Sequence, residues 1–185
     1  MLHEERTLII EDKEYTSTVD IVEAKDKDII IDIYNQWRDV SSKLSYLGCR
    51  RLNFPEISEL IFCKLFDCWR TNNIDINHSS FDCYNPKTNK RIQIKAASSK
   101  NELTSFGPKS VWDELYYMEF YKDETYDGTF DIYLIPNELI YNNKQNENET
   151  FVDQQKDGKR PRLHIRELIK DNNIKPIGTY NINDI

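Results

Sequence analysis

Three polar residues in the middle of the chain have types and spacing that suit metal-dependent hydrolysis. Asp82 lies in an apolar segment at residues 80–84. Gln93 and Lys95 lie in a second apolar segment at 91–96. The residues between the segments have turn chemistry, so we predict a hairpin. Because successive side chains of a strand point to opposite faces, the three polar side chains share one face.

Two registers of this hairpin stay open. A two-residue turn at Thr88 and Asn89 sets Asp82 opposite Lys95, whereas a longer loop sets Asp82 opposite Gln93. A slip by one residue would bury the polar trio, so the hydrophobic pattern favours these two registers. Both place the apolar side chains on the other face: Phe81, Cys83, Ile92 and Ile94.

A carboxylate, an amide and an ammonium on one strand face suit a divalent cation site. Mg²⁺ prefers oxygen and commonly takes one or two carboxylates plus substrate phosphate. Asp82 is the predicted main ligand and the Gln93 carbonyl oxygen a weaker one. Lys95 would orient or deprotonate the attacking water, or neutralise phosphate charge. The alternative is a solvent-facing Asp–Lys cross-strand pair, which contributes roughly a few tenths of a kcal/mol.

A helix before the hairpin supplies a fourth candidate. Pro55 suits a first helical position, and the apolar pattern continues to about Arg70. Glu56 lies in the first turn, where the helix dipole favours an acid. Glu59 lies one turn further on, beside the apolar stripe. We expect Glu59 to point toward the sheet, with surface exposure as the alternative.

The flanking patterns predict further elements. Residues 1–22 are typical of an edge hairpin or arm. Helical spacing predicts a helix over 28–47, ended by Gly48, with the stripe Ile29, Ile30, Ile33, Trp37, Val40, Leu44 and Leu47. The others, in chain order, are a strand at 103–106, a helix at 109–114, strands at 115–121, 129–135 and 163–165, and a helix at 166–170.

Composition limits the class of protein. The chain has 185 residues, enough for one domain with a real core. No apolar run reaches the roughly 18 residues that a membrane helix needs, and the N-terminus is charged, so we expect a soluble, cytoplasmic protein. The four cysteines lack zinc-ligand spacing, which favours buried free thiols. Nucleophile motifs and phosphate-binding glycine loops are absent, which argues against acyl transfer and NTP hydrolysis.

Basic residues are clustered although the net charge is −7. Residues 86–100 and 156–166 each contain five bases, and Arg50 with Arg51 makes a third group. Each group by itself is typical of a solvated face. If the three converge on one surface, they would bind a polyanion such as nucleic acid.

These residues resemble a known family. A helix glutamate at Glu59, then Asp82, then Gln93-Ile94-Lys95 resembles the core of PD-(D/E)XK nucleases. Longer segments are similar to a small type II restriction endonuclease family that cleaves GCNGC, and they cover most of the chain from about residue 50 to 165. They are NFPEISE at 53–59, NPKTNKRIQIKAAS at 85–98, LTSFGP at 103–108, QQ at 154–155 and GKRP at 158–161.

The resemblance implies a fold and an activity. The fold is α/β (mixed α+β), a central mixed sheet flanked by helices in the order αβββαβ. One endonuclease domain would span 1–185, with a catalytic core at 50–135 and a DNA-recognition segment at 150–166. An activated water would hydrolyse phosphodiesters of double-stranded DNA with Mg²⁺, which Mn²⁺ can replace. A palindromic site fits a homodimer, and restriction implies a companion DNA methyltransferase.

The basic groups then become candidate DNA contacts. Arg160 and Arg162 are predicted to contact bases, because Arg reads guanine O6 and N7 in the major groove. Ser98, Lys100 and Lys109 are predicted to contact phosphates or to support the residues that do. The full predicted DNA-binding set is Arg50, Arg51, Ser98, Lys100, Lys109, Lys159, Arg160 and Arg162.

The sequence departs from the nuclease pattern in two places. Phe81 replaces a proline, which matters little because the carboxylate is the ligand. Gln93 replaces an acid and brings no negative charge, so metal affinity falls unless Glu59 or substrate phosphate compensates. Two alternatives follow: a repair or structure-specific nuclease with the same core, or a DNA-binding or protein-interaction module with a degenerate site.

Overall fold

A computed structural model describes residues 1–71, 80–99, 102–121 and 125–185 of the chain. The strands are β1 (Leu2–Ile10), β2 (Lys13–Ile21), β3 (Trp69–Arg70), β4 (Cys83–Asn85), β5 (Lys90–Ala97), β6 (Thr104–Ser105), β7 (Glu114–Glu119), β8 (Thr129–Ile135), β9 (Arg162–Leu163) and β10 (Gly178–Asn181). The helices are α1 (Lys27–Tyr46), α2 (Ser58–Phe66), α3 (Asn137–Tyr141), α4 (Phe151–Lys156) and α5 (Ile165–Asp171).

A mixed sheet forms the centre of the fold. Within the described residues it has eight strands in the order β1-β2-β3-β4-β5-β7-β8-β10, and β6 pairs separately with β9. Strands β5 and β7 run parallel, and the other neighbours in the large sheet run antiparallel. The predicted mixed sheet flanked by helices is therefore confirmed.

Two core clusters lie on opposite faces of this sheet because β7 and β8 alternate their side chains. Helices α1 and α2 pack with Met118 and Ile132 on one face. Helices α3, α4 and α5 pack with Leu115 and Tyr133 on the other. A third cluster joins the β1–β2 hairpin to the start of β4, with Leu8 and Phe81 fully or almost fully buried.

Helix α1 buries a face that is rotated from the predicted one and shares only Ile30 and Trp37 with the predicted stripe. Its buried residues are Ile30, Tyr34, Trp37 and Ser41. The predicted stripe residues Ile29, Ile33, Val40 and Leu47 are exposed by 60, 37, 43 and 71 %. The aromatic side chains decide the orientation, because Trp37 packs on Phe54 with ring centroids 5.0 Å apart and aromatic rings bury the most apolar area.

Three further predictions differ from the structure. The helix predicted from Pro55 to Arg70 is shorter, since Asp67 adopts a left-handed conformation with φ 52° and ends α2. The helix predicted at 109–114 is wrong, because Ser110 closes a turn onto Gly107 at 3.2 Å and the chain then enters β7. No element is predicted beyond the helix at 166–170, yet Gly178–Asn181 adds β10 to the sheet beside β8.

The cysteines in the structure are free thiols. Cys63, Cys68 and Cys83 are buried as predicted, whereas Cys49 is exposed just beyond α1. Across the described stretches, no helix is both long enough and apolar enough to span a membrane.

Candidate active site

The hairpin of β4 and β5 adopts the longer-loop register. Cys83 pairs with Ile92 and Tyr84 with Arg91, so the predicted register with a two-residue turn is wrong. Asn89 takes a left-handed conformation with φ 56° and accepts a hydrogen bond from the Tyr84 hydroxyl at 2.7 Å. This contact closes the loop and fixes the register in which β5 presents Gln93 to β4.

Asp82 lies in a β-bulge at the start of β4. Cys83 pairs with Ile92, yet the Asp82 N–H also donates to the Ile92 carbonyl at 3.0 Å. Asp82 and Cys83 therefore both face Ile92, and this irregularity changes the directions in which the side chains of the bulged strand point. Phe81 consequently packs with Tyr84 and the N-terminal hairpin, which corrects the prediction that it shares a face with Cys83.

The carboxylate of Asp82 is held against the edge of β5. Gln93 Nε2 donates to Asp82 Oδ2, and the Ile94 N–H donates to the same oxygen at 2.7 Å. In the described residues β4 pairs with β5 only as far as Ile92, which leaves the Ile94 N–H for the side chain. Neither bond uses Oδ1. The structure thus brings Asp82 and Gln93 together as the sequence predicts.

Asp82 and Lys95 both have shifted pKa values, and burial is the largest cause in each case. Burial raises the pKa of Asp82 to about 6 despite the attraction of Lys95. Burial also lowers the pKa of Lys95, an effect that Asp82 and Glu59 oppose and Arg160 reinforces. Lys95 Nζ lies 5.0 Å from the centroid of the Phe106 ring, at cation–π distance. Such perturbed pKa values are typical of functional sites.

Glu59 points toward the sheet but is held by an arginine. Its Oε2 accepts a hydrogen bond from Arg70 Nε at 2.6 Å, and Arg70 also lies 3.9 Å from the buried carboxylate of Asp20. Glu59 is partly buried and near enough to affect the pKa of Asp82. Glu56 is exposed and precedes α2. Of the two helix acids, Glu59 is therefore the one that lies beside the cluster.

Two clefts meet at Lys95. The first cleft, about 350 Å³, contains Asp82, Gln93, Lys95, Lys109 and Arg160 in its lining. The second cleft, about 810 Å³, contains Arg50, Arg51, Glu59, Lys95, Ser98 and Tyr126. Because Lys95 belongs to both linings, a ligand in either cleft lies beside the cluster.

The outer wall of the first cleft is built from two distant segments. Strands β6 and β9 pair, and the Phe106 N–H donates to the Pro161 carbonyl at 3.0 Å. Gln155 on α4 donates to the carbonyls of Gly107 and Ser110 at 3.1 and 3.2 Å. These bonds join segment 104–110 to the GKRP segment, and so place Arg160 beside Lys95.

Comparison with known proteins identifies the family. Residues 22–172 match the family described as Bsp6I restriction endonuclease. The chain is also 30 % identical over 155 residues to the type II restriction enzyme Bsp6I of Bacillus sp. (strain RFL6), covering 80 % of this chain and 83 % of that protein. The chain belongs to the Bsp6I restriction endonuclease family. No solved structure gives a significant match. Membership of this family makes the chain a site-specific deoxyribonuclease. It also confirms the resemblance of the sequence to a type II restriction endonuclease family.

The endonuclease places its predicted DNA-binding residues in several positions. Lys109 and Arg160 line the first cleft, and Arg50, Arg51 and Ser98 line the second. Arg162 is exposed on β9 outside both clefts, and Lys159 forms ion pairs with Glu149 and Asp157. Lys100 lies outside the described residues. Four of the predicted basic residues, on three separate segments, thus line connected clefts.

Arg51 is tightly held within the endonuclease. Its Nε donates to Ser45 Oγ and its guanidinium donates to the Tyr126 hydroxyl, both at 2.6 Å. The guanidinium also lies 5.1 Å from the Tyr126 ring and 5.6 Å from the Tyr121 ring. A guanidinium fixed by aromatic rings in this way offers its remaining donors with little loss of side-chain freedom.

The oxygen donors beside Lys95 fit a hard cation. Asp82 Oδ1, Gln93 Oε1 and the carboxylate of Glu59 are oxygen ligands of the kind that Mg²⁺ takes alongside water and phosphate. In the described residues, no group of three His, Cys, Asp or Glu side chains is placed to hold a metal by itself. The site therefore suits a cation that is completed by the amide, by solvent and by a substrate phosphate.

Two residues that contact the cluster were not predicted from the sequence. Phe106, beside Lys95, belongs to the predicted strand at 103–106, where nothing in the sequence links it to the site. Arg70, bonded to Glu59, falls at the end of the predicted helix. Its signal is weak because β3 has only two residues, and its position follows from the sheet order.

Proposed function

We propose that this chain is a Mg²⁺-dependent type II restriction endonuclease that cleaves double-stranded DNA at GCNGC, with a PD-(D/E)XK active site at Glu59, Asp82, Gln93 and Lys95. Mn²⁺ would substitute for Mg²⁺. One observation carries the proposal: a carboxylate, an amide and a lysine with a lowered pKa lie together on a cleft floor beside two basic side chains. The similarity to the type II restriction enzyme Bsp6I supports sequence-specific cleavage of DNA, and the GCNGC site is what the family resemblance of the sequence implies.

Asp82 is the main ligand in this proposal. Its Oδ2 is fixed by Gln93 and by the Ile94 N–H, so the orientation of the carboxylate is set before any ligand arrives. Gln93 would contribute its carbonyl oxygen, and Glu59, which lines the second cleft, would contribute a second carboxylate. A divalent cation, when bound, supplies the charge that stabilises the pentacoordinate phosphate and the leaving oxygen.

Lys95 acts on the attacking water or on the phosphate. Its lowered pKa increases the neutral fraction, which can accept a proton from water. The protonated form donates to phosphate oxygens and neutralises their developing charge. The Phe106 ring lies beside Nζ, and in the protonated form it holds the ammonium at cation–π distance.

The two clefts would hold the DNA backbone. Lys109 and Arg160 lie on the wall of the first cleft, where they would contact phosphates next to the cleaved bond. For Arg160 this position favours a phosphate contact over the base contact predicted from the sequence. Arg50, Arg51 and Ser98 would contact the same strand in the second cleft. Arg162, Lys159 and Lys100 complete the proposed interface. Arg162 is the candidate for guanine readout, since it is exposed beside the cleft wall.

The chain would work as one endonuclease domain over residues 1–185, with its catalytic core at 50–135 and its DNA-recognition segment at 150–166. A palindromic target fits a homodimer, because each active site then cuts one strand. A companion methyltransferase would protect host DNA, which places both proteins in the cytoplasm.

Cleavage of unmethylated plasmid DNA tests the proposal. Purified protein is incubated with plasmid and Mg²⁺, alongside Asp82→Ala as a control, and the product ends are sequenced. We expect discrete fragments that all end within GCNGC, and none from the variant. Fragments that end at unrelated sequences would favour a structure-specific nuclease. Duplex binding without cleavage in Mg²⁺ or Mn²⁺ would favour a DNA-binding module.

A further inference from the structure

A second apolar stripe runs along α1 on the side facing solvent. Ile29, Ile33, Val40 and Leu47 are exposed by 60, 37, 43 and 71 %. With Gln36 and Lys43 between them, these positions alternate in steps of four and three residues, the spacing that forms the seam between paired helices.

This stripe is separate from the face by which α1 packs in its own chain. That face consists of Ile30, Tyr34, Trp37 and Ser41, which are buried against the sheet and α2. Single exposed apolar side chains are common, but several that recur along one side of a helix favour an interaction surface. Tyr46, the last residue of α1, and Leu52 beyond it are also exposed, by 90 and 47 %.

The charges beside the stripe select its partner. Asp32 lies in the N-terminal half of α1 and Lys43 in its last turn, on the same flank of the stripe. If α1 packs antiparallel against α1 of a second copy, each Asp32 lies beside Lys43 of the partner subunit. In a parallel two-fold pair this flank would face the partner's opposite flank, and Asp32 would not meet Lys43 of the partner subunit. The helix is therefore complementary to itself in the antiparallel orientation.

We propose that two copies of this chain associate through the exposed stripe of α1, around a two-fold axis that crosses α1 near Arg38. The inference rests on the proposed function, because a duplex cut in both strands requires two active sites. The C-terminal end of α1 leads to Arg51 in the lining of the second cleft. A two-fold axis across α1 would therefore place the second cleft of each subunit on opposite sides of the axis.

The stripe is the centre of this interface and not its whole area. A helix of 20 residues is about 30 Å long and about 10 Å wide. A stable interface buries about 800 Å² on each partner. Side chains beyond the helix must contribute the difference, and Tyr46 and Leu52 are exposed next to it for that role.

Sedimentation velocity on the full chain tests the surface. We expect the wild type to be a dimer at micromolar concentration. Ile33→Asp combined with Val40→Asp should raise the dimer dissociation constant at least about 100-fold, because two apolar anchors become charges at the centre of the interface. Ile177→Asp is the matched control, an apolar-to-acid change at 48 % exposure outside α1, and should sediment as wild type.

A charge exchange tests the orientation without altering the apolar stripe. Asp32→Lys alone and Lys43→Asp alone should each weaken the dimer about three- to tenfold, since each turns two opposite-charge contacts into like-charge contacts. The double variant restores both contacts with the charges reversed and should recover wild-type association. Single variants without effect, or a double variant as weak as either single, would overturn the antiparallel arrangement.

The outcomes separate this inference from the proposed function. A folded Ile33→Asp/Val40→Asp variant, judged by circular dichroism, that still sediments as a dimer overturns the surface. A wild type that stays monomeric with and without duplex also overturns it, even if it cleaves DNA. A dimer that dissociates in the variant supports the surface, and if the wild type shows no cleavage in the same preparations, only the proposed function fails.

Discussion

Arg70 Nε lies 2.6 Å from Glu59 Oε2, and the same guanidinium lies 3.9 Å from Asp20 on β2. A two-residue strand thus connects the N-terminal hairpin to an acid of the proposed active site. Arg70 holds the Glu59 carboxylate in the lining of the second cleft, near enough to Asp82 to raise its pKa. The distance from Glu59 to the other ligands therefore depends on a residue that touches neither DNA nor metal in the proposed mechanism.

Replacement of Arg70 should affect the Mg²⁺ dependence of cleavage more than it affects DNA binding. Arg70→Ala releases Glu59 and leaves Asp20 without its guanidinium. We expect the Mg²⁺ concentration for half-maximal cleavage to rise several-fold, with a smaller change in the KM for DNA. Arg70→Lys should recover part of the effect, because it keeps the charge but loses the planar donor geometry.

Lys175→Ala is a suitable control for this experiment. Lys175 is exposed near the C-terminus, where its ammonium donates to Asn173 Oδ1 at 2.9 Å, outside both cleft linings. It should leave the Mg²⁺ dependence unchanged. An Arg70→Ala enzyme with the wild-type Mg²⁺ dependence would contradict the positioning role of Arg70.

Phe106 should matter for the rate of cleavage more than for DNA affinity. The ring lies 5.0 Å from Lys95 Nζ and is fully buried. Phe106→Leu keeps an apolar side chain but removes the cation–π contact, worth roughly 0.5–2 kcal/mol. We therefore expect kcat to fall about three- to thirtyfold with little change in KM, and Phe106→Tyr to retain most activity. Equal rates for the Leu and Tyr variants would exclude the ring contact as the cause.

Activity should fall on acidification through the pKa of Asp82. The raised pKa of about 6 means that this carboxylate is protonated in most molecules at pH 5. A protonated carboxyl group is a poor cation ligand, so kcat/KM should decrease about fivefold between pH 6 and pH 5. Single-turnover cleavage at limiting DNA measures this. A profile that is flat down to pH 5 in protein that stays folded would contradict it.

Because its pKa is raised, Asp82 lowers the free energy of unfolding at neutral pH, where it is ionised in the folded chain. The unfolded chain ionises Asp82 near its ordinary pKa of 3.8, but the folded chain does so only near 6. Stability is therefore lost as the pH rises between these values. Asp82→Asn removes this loss and should stabilise the protein at pH 8 by up to about 3 kcal/mol, with little gain at pH 4.

Urea denaturation at the two pH values checks this prediction. Asp171→Asn, at an exposed position at the end of α5, is the control and should change stability by less than about 0.5 kcal/mol. A lower stability of Asp82→Asn at pH 8 would show that the carboxylate contributes more through its hydrogen bonds than it costs through burial.

The polar cluster is the part of the fold that the sequence predicts best. Strand periodicity places Asp82, Gln93 and Lys95 on one face, and the hydrophobic pattern leaves only two registers. The choice between them depends on the contact of Tyr84 with Asn89, which is local but is not visible in an apolar pattern.

The surroundings of the cluster depend on contacts between distant segments. Arg70 reaches Glu59 because β3 lies between β2 and β4, and the residue type alone does not indicate this. Arg160 reaches Lys95 because Phe106 and Pro161 are hydrogen-bonded. The orientation of α1 follows from aromatic packing and not from the number of aliphatic residues on each face. Tertiary packing thus overrides the periodic pattern at these positions.

Single-turnover cleavage of a short duplex with one GCNGC site, by wild type and Asp82→Asn, tests the central claim most directly. Duplex binding by both proteins is measured in parallel without Mg²⁺. We predict that the variant binds the duplex within about threefold of wild type, while its cleavage rate in Mg²⁺ falls at least about 1000-fold, because metal stabilisation of transition-state charge is worth several kcal/mol. An Asp82→Asn enzyme that cleaves within tenfold of the wild-type rate would contradict the proposed active site.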